Sequence, residues 1–277
     1  MNLASRRVVI RCFDVVESTN DTILEAGARG EPEGTTHLAR EQTRGRGRAR
    51  HRWWSPRNRG LWMSALLRPS TERARWSGIS LVAGAAVLDV LRAIGVSSAS
   101  LYWPNDLQVG RRKIGGILCE VRATGEDGWI ALGVGLNLDL REDRGDAPPL
   151  PADLRGRITS LAEASPFTTR EPLALASEIL ERFFPLYDRF LGGESVRQLV
   201  GDRLAHRGGR IRVAKDGGVA IDGTIEGLSE EGRLCVRLVE SASGEQGPTN
   251  RRLPAGVLRT SRRGLVEILS GDVEYVE

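Results

Sequence analysis

The segment EQTRGRGRARHRWWSP, residues 41–56, concentrates positive charge on a glycine-rich backbone. From Arg40 to Arg59 there are eight arginines and a single acidic residue, Glu41. The GRGR sequence at 45–48 would let backbone amides and guanidinium groups come close to a phosphate or a carboxylate. The pattern indicates a loop that binds an anionic ligand, and the alternatives are an RNA-binding arginine–glycine segment and a solvated loop. The GxxxxGK[ST] pattern of a phosphate-binding loop does not occur in the chain.

A second group of candidate residues lies in YWPNDLQVGRRKIGGILCE, residues 102–120. Asn105 and Asp106 supply an amide and a carboxylate at a turn, where their oxygens would either hold Mg²⁺ or close an Asx-turn. Lys113 precedes a Gly-Gly pair at 115–116, which leaves room for a ligand against the backbone. A single lysine at the start of a strand is more often solvated, so this motif by itself leaves both interpretations open.

The segment GVGLN at 133–137 places two glycines on one face of an apolar strand, because residues two apart in a strand share a face. The missing side chains would again make space over the sheet. Glycine in a strand often marks only a bulge, so this motif supports the other two and does not stand alone.

These residues must be positioned by a sheet with helices on it. The run from Ser77 to Ile94 is apolar around much of its circumference, which is typical of a helix that packs against a sheet. The predicted strands are 8–13, 36–40 and 61–67 and a hairpin of 113–121 with 129–138. The predicted helices are a short one after the N-cap residues 18–21 that stops at Gly30, then 77–94 and 171–190. Pro185 is expected to end or kink the last helix.

Two further regions carry no candidate residues. Residues 141–157 are rich in Pro, Asp and Arg, which predicts a surface loop. From about residue 198 to the end, short strands separated by glycine and acidic turns predict a small all-β module.

Composition excludes several classes of protein. The net charge of +4 is a mild bias, so the local arginine cluster points to one anionic ligand rather than to a surface that coats nucleic acid. His37, His51 and His206 are isolated and no CxxC pair occurs, which argues against a zinc site. Three widely spaced cysteines suit a reducing compartment. We recognise neither a signal peptide nor an apolar run of membrane-spanning length, and we expect a cytoplasmic protein.

Together the motifs resemble those of the biotin protein ligase family over residues 10–190. The family's order is S-T-N, a Q-x-x-G-R-G-R-x-G-R-x-W loop followed by S-P, then K-W-P-N-D, R-K-x-x-G-I-L-x-E and G-x-G-x-N. The matching positions here are 18–20, 42, 45–48, 53, 55–56, 103–106, 112–113, 116–118, 120, 133, 135 and 137. Five motifs in the same order are far more specific than any one of them.

The resemblance implies an α+β fold, in which helices pack on a mixed β-sheet similar to that of class II aminoacyl-tRNA synthetases and biotin synthetases. It implies a catalytic biotin- and ATP-binding domain at 1–195 and a C-terminal SH3-like β-barrel at 196–277. Because S-T-N begins at residue 18, we expect the monofunctional type of the family, without the N-terminal helix-turn-helix of about sixty residues that some members carry.

The resemblance also implies an activity. Members join biotin and ATP, with Mg²⁺, to give biotinyl-5′-AMP and pyrophosphate. They then pass biotin to a lysine of the biotin carboxyl carrier domain of acetyl-CoA carboxylase or a related carboxylase. We expect no specific DNA and no membrane among the partners, and a homodimer remains an alternative to a monomer.

Individual residues receive roles from the resemblance. Lys113, Arg46 and Arg48 would be catalytic, stabilising negative charge at phosphorus, and Asp106 would be the metal ligand. The biotin-binding residues would be Ser18, Thr19, Asn20, Gln42, Gly45, Arg46, Arg48, Lys113, Gly115, Gly116, Gly133 and Gly135. The ATP- or adenylate-binding residues would be Arg46, Arg48, Trp53, Asn105, Lys113 and Asn137. The arginine loop would be a lid that closes over the adenylate and keeps water away from it.

Three positions depart from the family pattern. Residues 49–52, Ala-Arg-His-Arg, stand where the family has x-Gly-Arg-x, Tyr102 replaces a lysine, and Arg44 replaces a small residue. Three other hypotheses compete with the biotin ligase. They are a lipoate or fatty-acid ligase of the same fold, a nucleic-acid-binding protein that uses the arginine loop and the barrel, and an inactive sensor of biotin or adenylate.

Overall fold

The computed structural model describes residues 2–3, 6–124, 127–141, 148–165, 170–214, 221–239, 257–260, 264–269 and 272–276. The first strands are β1 (Asn2–Leu3), β2 (Arg6–Arg7), β3 (Val9–Val16), β4 (Thr35–Gln42), β5 (Gly60–Leu67), β6 (Ala99–Tyr102), β7 (Asp106–Val109), β8 (Arg112–Thr124) and β9 (Asp127–Asn137). The later strands are β10 (Arg210–Ala214), β11 (Ile221–Leu228), β12 (Leu234–Leu238), β13 (Val257–Arg259), β14 (Leu265–Ile268) and β15 (Asp272–Val276). The α-helices are α1 (Thr19–Ala28), α2 (Ile79–Ala93), α3 (Leu161–Ala164), α4 (Pro172–Leu191) and α5 (Val196–Val200).

Seven strands form one mixed sheet in the order β3-β4-β5-β9-β8-β7-β6. The β3–β4 pair is parallel, because α1 returns the chain between them, and the other pairs are antiparallel. The predicted hairpin of β8 and β9 is confirmed and forms the longest pairing, from Gly115 opposite Leu136 to Thr124 opposite Asp127. The predicted mixed sheet with helices is therefore confirmed.

The two faces of this sheet are covered differently. Leu66 and Ala131 pack with Ile23 in a small apolar cluster under α1. Their neighbours along β5 and β9 point the other way, into the main core with α2 and α4, because side chains alternate across a strand. The short α1 covers only part of its face, and the candidate ligand-binding residues lie on the uncovered part.

The helix α2 is apolar on nearly every side because it lies between the sheet and α4. With the 3₁₀ turn before it, the segment Arg73–Ala93 is long and apolar enough to meet the length and composition criteria of a membrane span, which the sequence analysis did not expect. Most of it is buried in the core of the described structure, where a core helix satisfies the same criteria.

The predicted helix 171–190 is confirmed as α4, which continues through Pro185 to Leu191; Pro185 therefore does not end it, and a kink there stays a prediction. Its apolar stripe, which includes Phe183, Phe184 and Tyr187, is fully buried and holds the helix against α2. Packing of this stripe outweighs the backbone hydrogen bond that a proline removes inside a helix.

The six later strands form a second, antiparallel sheet in the order β13-β14-β12-β11-β10-β15. This agrees with an SH3-like C-terminal module. Among the described residues, the strands at the two edges of the sheet, β13 and β15, do not pair with each other. The helix α5 lies after the predicted boundary at residue 195 yet packs against α2. The boundary itself stays a prediction, and residues 142–147 of the loop predicted at 141–157 lie outside the described residues.

Candidate active site

A cavity of about 780 Å³ opens on the uncovered part of the sheet, on the side of α1. The N-terminus of α1, the arginine loop, the β6–β7 turn, the segment at 153–158 and the strand β15 surround it. The predicted site residues that line it are Ser18, Thr19, Asn20, Gln42, Arg46, Arg48, Trp53, Asn105, Asp106, Lys113, Gly116, Gly133, Gly135 and Asn137. The predicted residues Gly45 and Gly115 do not line it.

One end of the cavity is polar and is built at the start of α1. Gln42 Oε1 accepts hydrogen bonds from the Thr19 backbone N–H at 2.9 Å and from Thr19 Oγ1 at 3.0 Å, and Gln42 Nε2 donates to Ser55 Oγ at 2.9 Å. The N-cap residue Ser18 is buried, yet its hydroxyl makes no capping bond. Because the hydroxyl is not used by the helix, it is available to a bound polar group.

Asn20 occupies the space over one of the predicted glycines. A Cβ atom at Gly133 would stand 2.5 Å from Asn20 Oδ1, so this glycine makes room for a protein side chain. Ser64 Oγ donates to Asn20 Oδ1 at 2.5 Å, and Asn20 Nδ2 donates to Glu120 Oε2 at 2.7 Å. These bonds satisfy Asn20 within the protein, which makes it part of the cavity floor.

The indole of Trp53 lies over the other two cavity glycines. A Cβ at Gly135 would stand 2.8 Å from the indole and a Cβ at Gly116 would stand 3.6 Å from it. Trp53 Nε1 is buried without a hydrogen-bond partner, which is costly inside a protein. A ligand acceptor next to the indole would remove this cost.

Gly115 faces away from the cavity, because it is adjacent to Gly116 in a strand and must point to the other side. A Cβ there would stand 2.8 Å from the Gly135 carbonyl oxygen and 3.0 Å from Leu136 Cδ1, in the main core. The structure therefore corrects the prediction that Gly115 makes space for a ligand: it permits close packing of β8 on β9.

Lys113 lies at the centre of the cavity. Its Nζ stands 2.6 Å from Asp106 Oδ1 and 5.3 Å from the centre of the Trp53 ring. Its backbone is fixed on both sides, since its N–H donates to the Arg157 carbonyl at 2.9 Å and its carbonyl accepts from the Thr159 N–H at 2.9 Å. The ammonium is thus held on a rigid strand next to the open space.

Asn137 supports this arrangement from below. It is 3 % exposed, and its Nδ2 donates to the Thr159 carbonyl at 3.0 Å. Its amide therefore holds the segment that runs beside Lys113, and that segment brings Leu154, Arg157 and Ile158 into the cavity wall. The sequence predicted a surface loop there. It did not indicate a contact with the cavity, because the segment carries no motif and its position depends on backbone pairing with Lys113.

The arginine loop is a compact hairpin. The Trp53 N–H donates to the Gly45 carbonyl at 2.9 Å, the Gly47 N–H donates to the His51 carbonyl at 2.7 Å, and Arg46 pairs with Arg52 across the hairpin. A Cβ at Gly45 would stand 2.5 Å from the Trp53 carbonyl oxygen, so only glycine fits at the base. Gly45 thus shapes the loop and does not reach the cavity.

The two predicted phosphate-binding arginines of the loop point in different directions. Arg46 turns to α1 and binds both carboxylate oxygens of Asp21, at 2.6 and 2.7 Å, and Glu120 Oε2 at 2.9 Å. These carboxylates raise the pKa of Arg46 above its ordinary value, Asp21 contributing most. Arg48 is exposed and reaches Asn105 Oδ1 at 3.4 Å, across the cavity mouth.

An aromatic cluster closes the end of the cavity opposite Ser18. Tyr102 stacks edge-on against Tyr275 of β15, and its hydroxyl lies 2.6 Å from His206 Nε2. Burial raises the pKa of Tyr102, with a smaller opposing effect from Arg111. The second sheet therefore contributes side chains to the wall, which the sequence could not show because no motif spans such separated residues.

The carboxylate of Asp106 fits a Mg²⁺ site of the kind completed by substrate. Among the described residues no three His, Cys, Asp or Glu side chains are grouped as a metal centre would require. Mg²⁺ commonly uses one or two carboxylates together with substrate phosphates and water. Asp106 and the neighbouring Asn105 both line the cavity, so their side-chain oxygens would be the protein's donors to the ion.

Comparisons with known proteins agree with this geometry. Residues 12–137 match the model of the biotin/lipoate A/B protein ligase family. The biotin–[acetyl-CoA-carboxylase] ligase of Mycobacterium tuberculosis is 31 % identical over 238 residues, which cover 82 % of this chain and 83 % of that protein. The chain belongs to the biotin protein ligase family. The family assignment drawn from the five motifs is confirmed.

Other members extend the comparison. The bifunctional ligase/repressor BirA of Bacillus spizizenii is 35 % identical over 154 residues, which are 55 % of this chain and 46 % of that protein, so the chain spans about half the length of this relative. A biotin protein ligase from Aquifex aeolicus, solved in complex with biotin and ATP, has the same fold. Its TM-score is 0.73 at 24 % identity, over 96 % of this chain and 99 % of that one.

Proposed function

We propose that the protein is a biotin protein ligase that joins biotin to ATP, giving biotinyl-5′-AMP and pyrophosphate, and then transfers the biotinyl group to a lysine of a biotin carboxyl carrier domain. One observation carries the proposal. Ser18, Gln42, Asp106 and Lys113 are far apart in the sequence and lie around one cavity. The names of the family's members supply biotin and the carboxylase carrier as the substrates.

The polar end at α1 would bind the ureido ring of biotin. This ring has two N–H donors and one carbonyl acceptor, and each would lose its water on entering the cavity. An unpaired buried polar group costs about 1–3 kcal/mol, so a matching set of donors and acceptors decides affinity. The free Ser18 hydroxyl and the Thr19–Gln42 pair supply both kinds of group.

In the first step a carboxylate oxygen of biotin attacks the α-phosphorus of ATP, and the bond to the pyrophosphate oxygen breaks. Negative charge grows on the phosphate oxygens in the transition state. The Lys113 ammonium, carried by a backbone that is fixed on its strand, would stabilise that charge once a phosphate oxygen replaces Asp106 as its partner. Arg48 faces the same space from the loop and adds a second cation.

Asp106, with Asn105, would hold Mg²⁺ bound to the ATP phosphates, and the ion would neutralise part of their charge. In the second step the carrier's lysine amine attacks the biotinyl carbonyl carbon, AMP leaves, and the amine loses a proton. A closed arginine loop would keep water from hydrolysing the mixed anhydride before the carrier arrives.

The test is turnover of α-labelled ATP with Mg²⁺ and either biotin or lipoate, in the wild-type protein and in Lys113→Ala. We expect a labelled adenylate with biotin only, reduced about 10²–10³-fold in the variant, which is the usual effect of removing one such stabilising group. If an adenylate formed with lipoate alone, the family assignment would stand and the substrate would be lipoate instead of biotin. No adenylate with either acid would overturn the proposal and favour an inactive sensor.

A further inference from the structure

Arg44 and Arg48 each make one side-chain bond from the arginine loop to the body of the protein, to Glu17 and to Asn105, but the loop arginine with the most such bonds is Arg46. Its guanidinium makes three hydrogen bonds to two carboxylates, two to Asp21 and one to Glu120. The Arg46 side chain is 32 % exposed, so solvent screens these bonds only in part. Paired N–H to carboxylate bonds from one guanidinium fix its orientation as well as its position.

Both carboxylates sit on rigid elements. Asp21 is in the first turn of α1, where the helix dipole favours a negative side chain. Glu120 lies on β8 and also accepts a bond from Asn20, which is itself held by Ser64 on β5. Arg46 therefore connects the loop to a helix and to two strands of the large sheet.

The next arginine has no comparable attachment. The contact of Arg48 with Asn105 is long, at 3.4 Å, and no acidic side chain forms an ion pair with it among the described residues. Arg48 is thus free to meet a phosphate, whereas Arg46 is already neutralised.

We propose that Asp21 and Glu120 are positioning residues that clamp the loop through Arg46, so that only residues 47–52 move on closure and Arg48 is the loop arginine that acts on the adenylate. The clamp fixes one end of the moving segment, and the bond from the Trp53 N–H to the Gly45 carbonyl fixes the other. The role in retaining adenylate rests on the proposed ligase function; the clamp itself does not.

The first experiment measures loop opening without any substrate. Limited trypsin digestion of the ligand-free protein, read by mass spectrometry at the bonds after Arg48 and Arg52, is compared between wild type and Asp21→Asn/Glu120→Gln. We expect about tenfold faster cleavage in the double variant, in line with the loss of charge-assisted bonds. The matched control is Asp14→Asn, an exposed carboxylate that pairs with Arg57 in the turn before β5 and with Arg40 on β4. Unchanged cleavage in the double variant, at an unchanged melting temperature, overturns the clamp.

The second experiment asks whether Arg46 acts through these carboxylates. Arg46→Gln, the Asp21→Asn/Glu120→Gln pair and the triple variant are compared for biotin KM, for the rate of adenylate formation at saturation and for adenylate release. We expect a higher KM and faster release with a smaller change in the saturated rate, and a triple variant no worse than Arg46→Gln. Asp21→Glu keeps a carboxylate, so most of the wild-type biotin KM and adenylate retention should remain in this variant.

The outcomes separate the two proposals. If the losses of Arg46→Gln and of the carboxylate pair add up in the triple variant, Arg46 touches the substrate itself. That result would overturn the proposed division of roles between Arg46 and Arg48. Faster trypsin cleavage in a protein that forms no adenylate would retain the clamp and reject the ligase function. If the protein forms the adenylate but its trypsin cleavage does not depend on Asp21 and Glu120, the ligase function is retained and the clamp is rejected.

Discussion

The Nζ atom of Lys113 lies 2.6 Å from Asp106 Oδ1, so two side chains with separate predicted roles form one ion pair. Each is about 30 % exposed, which leaves both within reach of a ligand. The pair holds the ammonium in place and balances its charge while no anion is bound. In the proposed reaction Lys113 would exchange Asp106 for a phosphate of ATP, and Asp106 would exchange Lys113 for Mg²⁺.

Asp106→Asn is expected to raise the Mg²⁺ concentration for half-maximal adenylate formation several-fold. The amide remains an oxygen donor but has lost the charge that attracts a hard cation. A Mg²⁺ titration at fixed biotin and ATP measures this, with the exposed Asp202→Asn as the control for a charge change far from the cavity. An unshifted Mg²⁺ dependence would exclude Asp106 as the metal ligand.

Arg48→Gly is expected to release biotinyl-adenylate into solution. The loop would lose the side chain that bridges to Asn105 across the cavity mouth, and the reactive anhydride would escape before transfer. Biotin labelling of lysines on an unrelated bystander protein reports the leak. Arg44→Gly removes an equal charge from an exposed side chain that pairs with Glu17, and this control should label no more than wild type.

Adjacent glycines should respond in opposite ways to alanine. At Gly116 a Cβ meets only the flexible end of Lys113, at 3.3 Å, and the Trp53 ring, so Gly116→Ala should raise the biotin KM with little change in melting temperature. At Gly115 it meets the backbone of β9, so Gly115→Ala should cost about 1–3 kcal/mol of folding stability. Thermal unfolding and biotin kinetics on both variants check this, and equal behaviour of the two would contradict the opposed faces.

Folding stability should fall as the pH drops from about 6.5 towards 4, partly because of His37. Burial lowers its pKa to about 4, with Arg11 adding to the effect, while its Nε2 is buried without a partner. The unfolded chain binds this proton at its ordinary pKa of about 6.5, so the contribution is complete above that pH and is lost progressively below it. The full difference amounts to about 3.5 kcal/mol at most, since one pKa unit corresponds to about 1.4 kcal/mol.

Urea unfolding at pH 7, 6, 5 and 4.5 measures this dependence. His37→Gln should flatten the curve between pH 6.5 and 4.5, and the exposed His51→Gln should leave it as in wild type. Parallel curves for wild type and His37→Gln would show that this histidine titrates normally in the folded protein.

The sequence predicted β3, β4, β5, β8 and β9 and the helices α1, α2 and α4 because their apolar patterns are strong, but it missed the short strands β6 and β7 on either side of the turn at 103–105. Of its two expectations for Pro185, an end of the helix there is wrong, because buried aromatic residues of α4 outweigh the proline. It also treated all the glycines of the motifs alike. Which way a glycine faces depends on register, and only the pairing of β8 with β9 shows that Gly115 belongs to the core.

The direction of a side chain is the other property that the sequence could not predict. Residue types and spacing made Arg46 and Arg48 equivalent. They differ in their partners, because Arg46 binds two carboxylates, Asp21 and Glu120, that are remote from the loop in sequence. Leu154 and Tyr275 reached the cavity through tertiary pairing alone. No local pattern carries that information.

The wall formed by Val273 and Tyr275 of β15 has a consequence for protein synthesis. Ser18 is synthesised well before that wall, which is added with the last strand described. A nascent chain that already contains Lys113 and the arginine loop therefore still has an open side to its cavity. Synthesis of β15, rather than folding of the large sheet, is the event that encloses the site.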